Sequence, residues 1–193
     1  MSLRVLGVTL PSHDVVPLPE LFAHRSALHG QAHVTRVMVH AIRLVEATGL
    51  HKLGPRLWAA VFLHDLARTH DGVCHRHGAD AARRLREEPE LQARLIAAGL
   101  TLDDFPAVET AVTAHSAGKE TSRDHEHWPL IALLKDADGL DRVRLADLDT
   151  RYLRHPESPA MAAFAQRLFD ATDGRVPTGP GHFDAVWAVA TGL

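Results

Sequence analysis

Residues 57–65, LWAAVFLHD, form the stretch that decides the fold of this chain. Seven consecutive apolar residues follow Gly54 and Pro55, a pair that favours the start of a helix. A helix that is apolar on every side is normally buried on every side. The stretch therefore predicts a central helix that carries a histidine and an aspartate into the interior at its end.

Before and after this stretch, apolar residues recur at helical spacing in most of the chain, and strand signals are nearly absent. We expect helices over 31–48, 77–87, 91–98, 106–117, 126–144, 159–172 and 182–191. Residues 1–20 contain three prolines and little periodicity, so we interpret them as an irregular lead-in with a short extended piece over 3–10. The prediction is an all-α fold in which residues 21–193 form one domain.

The composition of the 193 residues, with 46% apolar and 23% charged residues, is typical of a folded soluble protein. The net charge is only -3 and no long run of Lys or Arg occurs, so charge does not indicate nucleic-acid binding. The single cysteine, Cys74, excludes an internal disulfide, and no secretion signal or membrane-length apolar run is seen. We expect a cytoplasmic protein with no membrane partner, and the composition leaves a homo-oligomer open.

Two acidic residues follow apolar helical runs, where an unpaired carboxylate would be strongly penalised. Asp65 ends the stretch quoted above, and Asp138 follows the run Leu130 to Leu134 on its buried stripe. His33 lies on the apolar stripe of the first long helix. One divalent cation held by carboxylates and imidazoles would satisfy all of them. The alternative for each is a hydrogen-bonded His or Asp of an ordinary core.

The order His33, His64-Asp65 and Asp138, with Asp138 inside the segment KDADGLD at 135–141, resembles the HD-domain metal-dependent phosphohydrolases. The resemblance spans about residues 33–144. The pattern Ala-Asp-x-Leu selects Asp138 as the ligand over Asp136 and Asp141.

The resemblance implies an HD-domain-like helical bundle with a central metal site. It also implies hydrolysis of phosphate esters or anhydrides, with a small phosphorylated substrate such as a nucleotide or a dinucleoside polyphosphate. A bound metal makes hydroxide available near neutral pH and polarises the phosphoryl oxygen. The resemblance does not distinguish Fe, Mn, Co, Mg, Ni and Zn as the metal.

Some members of the family hold two metals, with the aspartate of the doublet bridging them and two further histidines as ligands. His77 and His115 resemble those two ligands. The alternatives are a surface histidine at position 77 and a hydrogen-bonded core histidine at position 115, and His75 is the substitute for His77.

Four basic residues are candidates for binding the substrate. Arg68 follows His64 by four residues and Asp65 by three, so a continuing helix presents it on their side. There it would clamp a phosphate, and with Asp65 it forms the predicted catalytic pair. Lys135, Arg142 and Arg144 are further phosphate candidates, the alternative for each being a solvated charge.

Two other functions would use the same ligands. A related branch of the superfamily uses six similar ligands to hold two irons and activates O₂. In the other alternative, the domain is a sensor that binds a nucleotide or a metal without turnover.

Overall fold

The apolar run at 57–63 forms the middle helix of the fold, as predicted. The computed structural model describes residues 2–193. It contains a short hairpin and eight α-helices over that range: β1 (Ser2–Val5), β2 (Val8–Pro11), α1 (Gln31–Thr48), α2 (Gly54–Leu63), α3 (His77–Glu87), α4 (Pro89–Ala97), α5 (Phe105–Ser116), α6 (Trp128–Leu140), α7 (Ala162–Thr172) and α8 (His182–Thr191). The all-α class is therefore confirmed.

Helix α2 is buried along the whole apolar run because α1, α5 and α6 surround it. Trp58 and Leu57 are fully buried, and the indole Nε1 of Trp58 donates a hydrogen bond to the carbonyl of Val15 at 3.0 Å. Helix α3 packs against α5, and α8 packs against α1 and α7. The elements that flank α2 thus converge at its C-terminal end, where His64 and Asp65 lie.

The lead-in, predicted as irregular with a short extended piece over 3–10, contains a regular antiparallel hairpin over 2–11. Val5 pairs with Val8 and Leu3 pairs with Leu10 across a two-residue turn. The turn residues Leu6 and Gly7 both have positive φ, at 50° and 86°, as a tight hairpin turn with the twist of its strands requires. The strands are only four residues long, so their apolar alternation is too short to stand out in the sequence.

The helix boundaries differ from the prediction mainly around residues 126–161. Helix α6 ends at Leu140 rather than at residue 144, and Asp141–Leu145 continue as a 3₁₀ helix. Helix α7 begins at Ala162 because Ser158–Met161 form a separate 3₁₀ turn. Over residues 2–193, no helix has both the length and the apolar character needed to cross a bilayer.

One core residue has no evident role in the fold. His40 of α1 is fully buried and its ring is almost perpendicular to that of Phe164, and neither of its ring nitrogens has a hydrogen-bond partner among the described residues. Burial lowers the pKa of His40 to about 4. Asp141 opposes this shift, whereas the charges of Arg36, His33 and Arg43 add to it.

We expect His40→Leu to raise the free energy of unfolding at pH 7.5 by about 1–3 kcal/mol, because it removes a buried imidazole without a partner. The folded state takes up the His40 proton only near pH 4, whereas the unfolded chain does so near pH 6.5. Stability is therefore lost as the pH falls, and the advantage of the variant should grow by about 2 kcal/mol between pH 7.5 and pH 5. Urea unfolding at both pH values measures this, with the exposed His51→Leu as control. If the stability gain of His40→Leu is no larger at pH 5 than at pH 7.5, the lowered pKa of His40 is wrong.

Candidate metal centre

Five elements bring the six predicted metal ligands together around one point. His33 comes from α1, His77 from the start of α3, His115 from α5 and Asp138 from α6, while His64 and Asp65 follow the end of α2. Their side chains form two groups, each with ligand atoms within 4.8 Å of one another: His33, His64 and Asp138, and Asp65, His77 and His115. The structure thus contains a His/Asp cluster of a composition that binds metal ions, compatible with an HD-like site.

In the first group, three ligand atoms face one another across short distances. The Nε2 atom of His33 lies 3.3 Å from Nε2 of His64 and 3.3 Å from Oδ1 of Asp138. In the second group, Nε2 of His77 lies 2.9 Å from Nε2 of His115. Ligand bonds of about 2.0–2.2 Å to one ion place neighbouring ligand atoms roughly 3 Å apart, which is the spacing seen here.

The carboxylate of Asp65 joins the two groups. Its Oδ2 lies 3.4 Å from Nε2 of His33, and its Oδ1 lies 3.1 Å from Nε2 of His77. Longer distances of 3.8 Å and 4.0 Å connect it to His64 and His115. His29 also lies near Oδ2, with Nδ1 at 3.2 Å, and together with His33 and Asp65 it forms a third group of possible metal ligands. The two oxygens of Asp65 therefore face different sets of histidines.

Hydrogen bonds at the opposite ring nitrogens orient the histidines. Nδ1 of His64 donates to the carbonyl of Val61 at 2.8 Å, and Nδ1 of His115 donates to the carbonyl of Val112. Nδ1 of His33 lies 2.7 Å from the carboxylate of Asp141. Carbonyl and carboxylate oxygens only accept, so the neutral rings carry their hydrogen on Nδ1 and direct an Nε2 lone pair inward.

The facing Nε2 atoms of His33 and His64 indicate that the residues fit a metal. Two Nε2 lone pairs that face each other at 3.3 Å repel each other unless a positive charge lies between them. Burial disfavours a charged His33, but hydrogen bonds to Asp138, Asp141 and Asp65 outweigh burial and raise its pKa to about 9. The space around Nε2 of His33 therefore attracts positive charge. The imidazole nitrogens and carboxylate oxygens that surround it are ligands that suit a divalent cation.

The carboxylates of the centre are strongly biased toward their charged form. Burial disfavours ionisation of Asp65, but the neighbouring His64 and hydrogen bonds to His29, His33 and His77 hold its pKa well below the usual value. Burial and the nearby imidazoles of His64 and His77 lower the pKa of His115 to about 3. Ionised carboxylates and neutral imidazoles are the forms that coordinate metals. Hydrogen bonds to carboxylates raise the pKa of His33 and of His77 despite their burial, so these two imidazoles would release a proton when a metal binds.

One of the sequence arguments about the acidic residues needs correction. The side chain of Asp138 is 30% exposed rather than buried, because it lines a cavity beside the centre. The fully buried acids are Asp136 and Asp141. Asp136 is not part of the cluster, since it accepts hydrogen bonds from the main chain of Arg154 and His155 and from the Ser158 hydroxyl.

Between the two candidates in the 75–77 segment, the structure places His77 in the centre. The ring of His75 is exposed and lies 3.2 Å from the carbonyl of Ser116. Gly78 allows the start of α3 to approach α5, because a Cβ there would lie 2.2 Å from the carbonyl oxygen of Val112. This close approach brings His77 to His115.

Arg68 lies at the centre, but not on a continuation of α2 as predicted. Helix α2 ends at Leu63 and residues 64–67 form turns, yet the buried guanidinium of Arg68 lies against the cluster. Its terminal nitrogens lie 3.0 Å from Nδ1 of His77, 3.0 Å from Nε2 of His29 and 3.2 Å from the carbonyl of Gly72. Its Nε makes no hydrogen bond among residues 2–193 but lies 3.9 Å from Oδ1 of Asp65.

The other basic candidates lie around the cavities at the centre. A cavity of about 410 Å³ is lined by Asp65, Arg68, Asp138, Arg142 and Arg144, among others. Arg142 pairs with Asp147, and Arg144 donates to the carbonyls of Leu28 and Asp141. Lys135 lies in a neighbouring cavity and donates to Glu120 at 3.0 Å.

Sequence reasoning missed His29 and the role of Asp141. Nδ1 of His29 lies 3.2 Å from Oδ2 of Asp65, with its side chain 12% exposed. His29 precedes His33 by four residues, which on a helix would place both on one face. This spacing was the only sequence signal for His29, and it is misleading because α1 begins at Gln31. Asp141 lies between His33 and the guanidinium of Arg36, whose Nε donates to it at 2.6 Å.

Comparisons of the chain with protein-family models, with curated proteins and with solved structures each found no match.

Proposed function

We propose that this chain is a metal-dependent phosphohydrolase that acts on a small phosphorylated molecule, such as a nucleotide or a dinucleoside polyphosphate. The observation that carries the proposal is the sharing of Asp65 between two groups of imidazoles, each 3–4 Å from one of its oxygens. Paired metal sites of this kind suit displacement at phosphorus, since they stabilise both the attacking and the leaving oxygen.

The ligand roles follow from the contacts. His33, His64 and Asp138 would hold one ion, His77 and His115 the other, and Asp65 would contribute to both. When bound, the metal lowers the pKa of water and polarises the phosphoryl oxygen. The contacts at Val61, Val112 and Asp141 keep the imidazoles aligned during turnover.

The cavity beside the centre suits an anionic substrate. Its volume of about 410 Å³ is in the range of small-ligand sites, and Arg68, Arg142 and Arg144 line it. Guanidinium groups bind phosphate oxygens through paired hydrogen bonds. In the proposed hydrolysis, the oxygen of water bonds to phosphorus and the ester or anhydride P–O bond breaks. The electron pair of that bond goes to the leaving oxygen, and the protons of water go to the leaving group and to solvent.

The proposal is tested by measuring the metal content of the purified protein and its phosphate release with Mn²⁺, Fe²⁺, Co²⁺ or Mg²⁺. We expect phosphate release with at least one ion, and a decrease of at least about 100-fold in Asp138→Asn, because several kcal/mol of charge stabilisation are lost. Asp103→Asn, an exposed acid outside the cluster, is the matched control and should leave the rate unchanged.

Oxygen uptake coupled to substrate loss without phosphate release would overturn the hydrolase proposal in favour of an oxygenase. Metal or nucleotide binding without any turnover would overturn it in favour of a sensor. Phosphate release that survives Asp138→Asn would place the reaction elsewhere on the chain.

A further inference from the structure

A second cavity, of about 380 Å³, lies beside the metal centre and differs in character from the first. Both cavities are lined by His115, Asp138, Arg142 and Asp147. We call the first the arginine lobe, after Arg68, Arg142 and Arg144. The second is the tyrosine lobe, lined by Leu148, Tyr152 and Leu153 together with Lys135 and Arg154. A substrate with its phosphorus beside Asp138 can therefore extend into either lobe.

The cations of the tyrosine lobe are already neutralised. Lys135 donates to Glu120 at 3.0 Å, and two nitrogens of Arg154 each donate to the same carboxylate at 2.9 Å. Arg154 also lies 3.3 Å from the buried carboxylate of Asp136. The hydrogen bonds from Arg154, with those from Lys135, lower the pKa of Glu120 to about 2. Arg142, which lines both lobes, is likewise paired with Asp147. In the arginine lobe, Arg68 and Arg144 lie 3.9 Å and 3.6 Å from the carboxylates of Asp65 and Asp141, too far for a hydrogen bond. The tyrosine lobe therefore has less free positive charge than the arginine lobe to attract a phosphate.

The tyrosine lobe is also lined by Asp147 and Asp149, which pair with Arg142 and Arg151, and part of its remaining wall is apolar. Leu148 and Leu153 are partly buried against the main core, and Gly139 adds no side chain beside Asp138. A Cβ at Gly139 would lie 3.2 Å from the side chain of Leu153, so a larger residue would crowd this wall.

Tyr152 stands at this lobe with 74% of its surface exposed. It is the single tyrosine of the chain. An exposed aromatic ring beside a cavity offers a stacking surface for a flat group, and such stacking tolerates different ring systems.

We propose that the tyrosine lobe binds a flat, uncharged group of the substrate, such as a nucleobase or a phenyl ring, while the phosphoryl group lies at the metal centre. This inference rests on the proposed phosphohydrolase function. It narrows the substrate class to phosphates that carry an aromatic group, and it excludes sugar phosphates and inorganic polyphosphates as the preferred substrates.

The test compares Tyr152→Ala, Tyr152→Phe and the control Leu102→Ala, which removes a side chain that is 65% exposed and lies outside both lobes. The probes are adenosine monophosphate, cytidine monophosphate and p-nitrophenyl phosphate, with glycerol phosphate and inorganic pyrophosphate as probes that lack a ring. KM and kcat are measured for each probe, and binding of adenosine monophosphate is measured separately by calorimetry.

We expect Tyr152→Ala to raise KM for the aromatic phosphates about tenfold or more relative to KM for pyrophosphate, with kcat little changed. Tyr152→Phe keeps the ring and should remain within about twofold of the unmodified protein, as should Leu102→Ala. Comparison of the two nucleotides with p-nitrophenyl phosphate shows whether the lobe selects a nucleobase or any aromatic ring. An unchanged KM ratio in Tyr152→Ala would overturn the inference.

The calorimetric measurement separates the two proposals. If no probe releases phosphate but Tyr152→Ala weakens binding of adenosine monophosphate, the proposed hydrolysis fails and the assignment of the lobe stands. If phosphate is released and neither binding nor the KM ratio responds to Tyr152→Ala, the hydrolysis stands and the assignment of the lobe fails.

Discussion

Replacement of Asp65 by asparagine is expected to remove metal from both halves of the centre and to lower phosphate release by at least about a thousandfold. The physical reason is the position of its carboxylate, with one oxygen 3.4 Å from His33 and the other 3.1 Å from His77. Asparagine preserves the size of the side chain but replaces one oxygen by a donor and removes the charge. Elemental analysis and calorimetric titration with Mn²⁺ measure the loss of metal.

Two further variants make this prediction specific. Asp138 lies 3.3 Å from His33 and is absent from the group of His77 and His115, so Asp138→Asn should impair one half of the centre. His115→Ala should impair the other half. Asp103→Asn serves again as the control for loss of an acidic side chain. If Asp65→Asn retains the full metal content, the bridging role of Asp65 is wrong.

Replacement of Arg36 by methionine is expected to lower the free energy of unfolding by about 3–5 kcal/mol. The guanidinium of Arg36 donates to both oxygens of Asp141, at 2.6 Å and 3.1 Å, and both side chains are almost completely buried. Methionine leaves the Asp141 carboxylate buried with only His33 and Arg144 nearby. Urea unfolding measures the loss.

The double variant Arg36→Met/Asp141→Leu separates the contribution of the Arg36–Asp141 ion pair to stability from the role of Asp141 in positioning His33. It removes both charges, so much of the stability should return. His33 then lacks the acceptor for Nδ1, and metal affinity should stay about 10- to 100-fold below that of the unmodified protein. The control is Arg83→Met, which removes an arginine whose side chain is 52% exposed and which should cost at most about 1 kcal/mol. A loss in Arg36→Met no larger than in this control would contradict the prediction.

The helices were largely predictable because their signals are local. Helix α1 covers 31–48 and α3 covers 77–87, as expected from apolar spacing, and Gly49 ends α1 with a φ of 70°. The extended piece predicted over 3–10 is a hairpin of two strands over 2–11. Its turn was missed because two four-residue strands give too few alternations, while their burial depends on the core beneath them.

For the candidate site, the sequence by itself determined the chemical types and their order. Asp65 is buried as the apolar run predicted, and all six predicted ligands meet at one centre. The expectations for His33 and Asp65 rested on local periodicity and on the cost of burying an unpaired carboxylate, which can be assessed from neighbouring residues alone. The choice of Asp138, and of His77 and His115 as further ligands, rested on the resemblance to the HD-domain phosphohydrolases.

Only the tertiary structure decided which atoms face each other. Asp141 orients His33 from 108 residues away, and His29 reaches Asp65 from outside any helix. The exposure of Asp138 and the division of the cavity into two lobes likewise depend on how α6 and residues 141–154 pack. Such contacts join residues that are distant along the chain, so no local pattern encodes them, and they form only when the helices pack around α2.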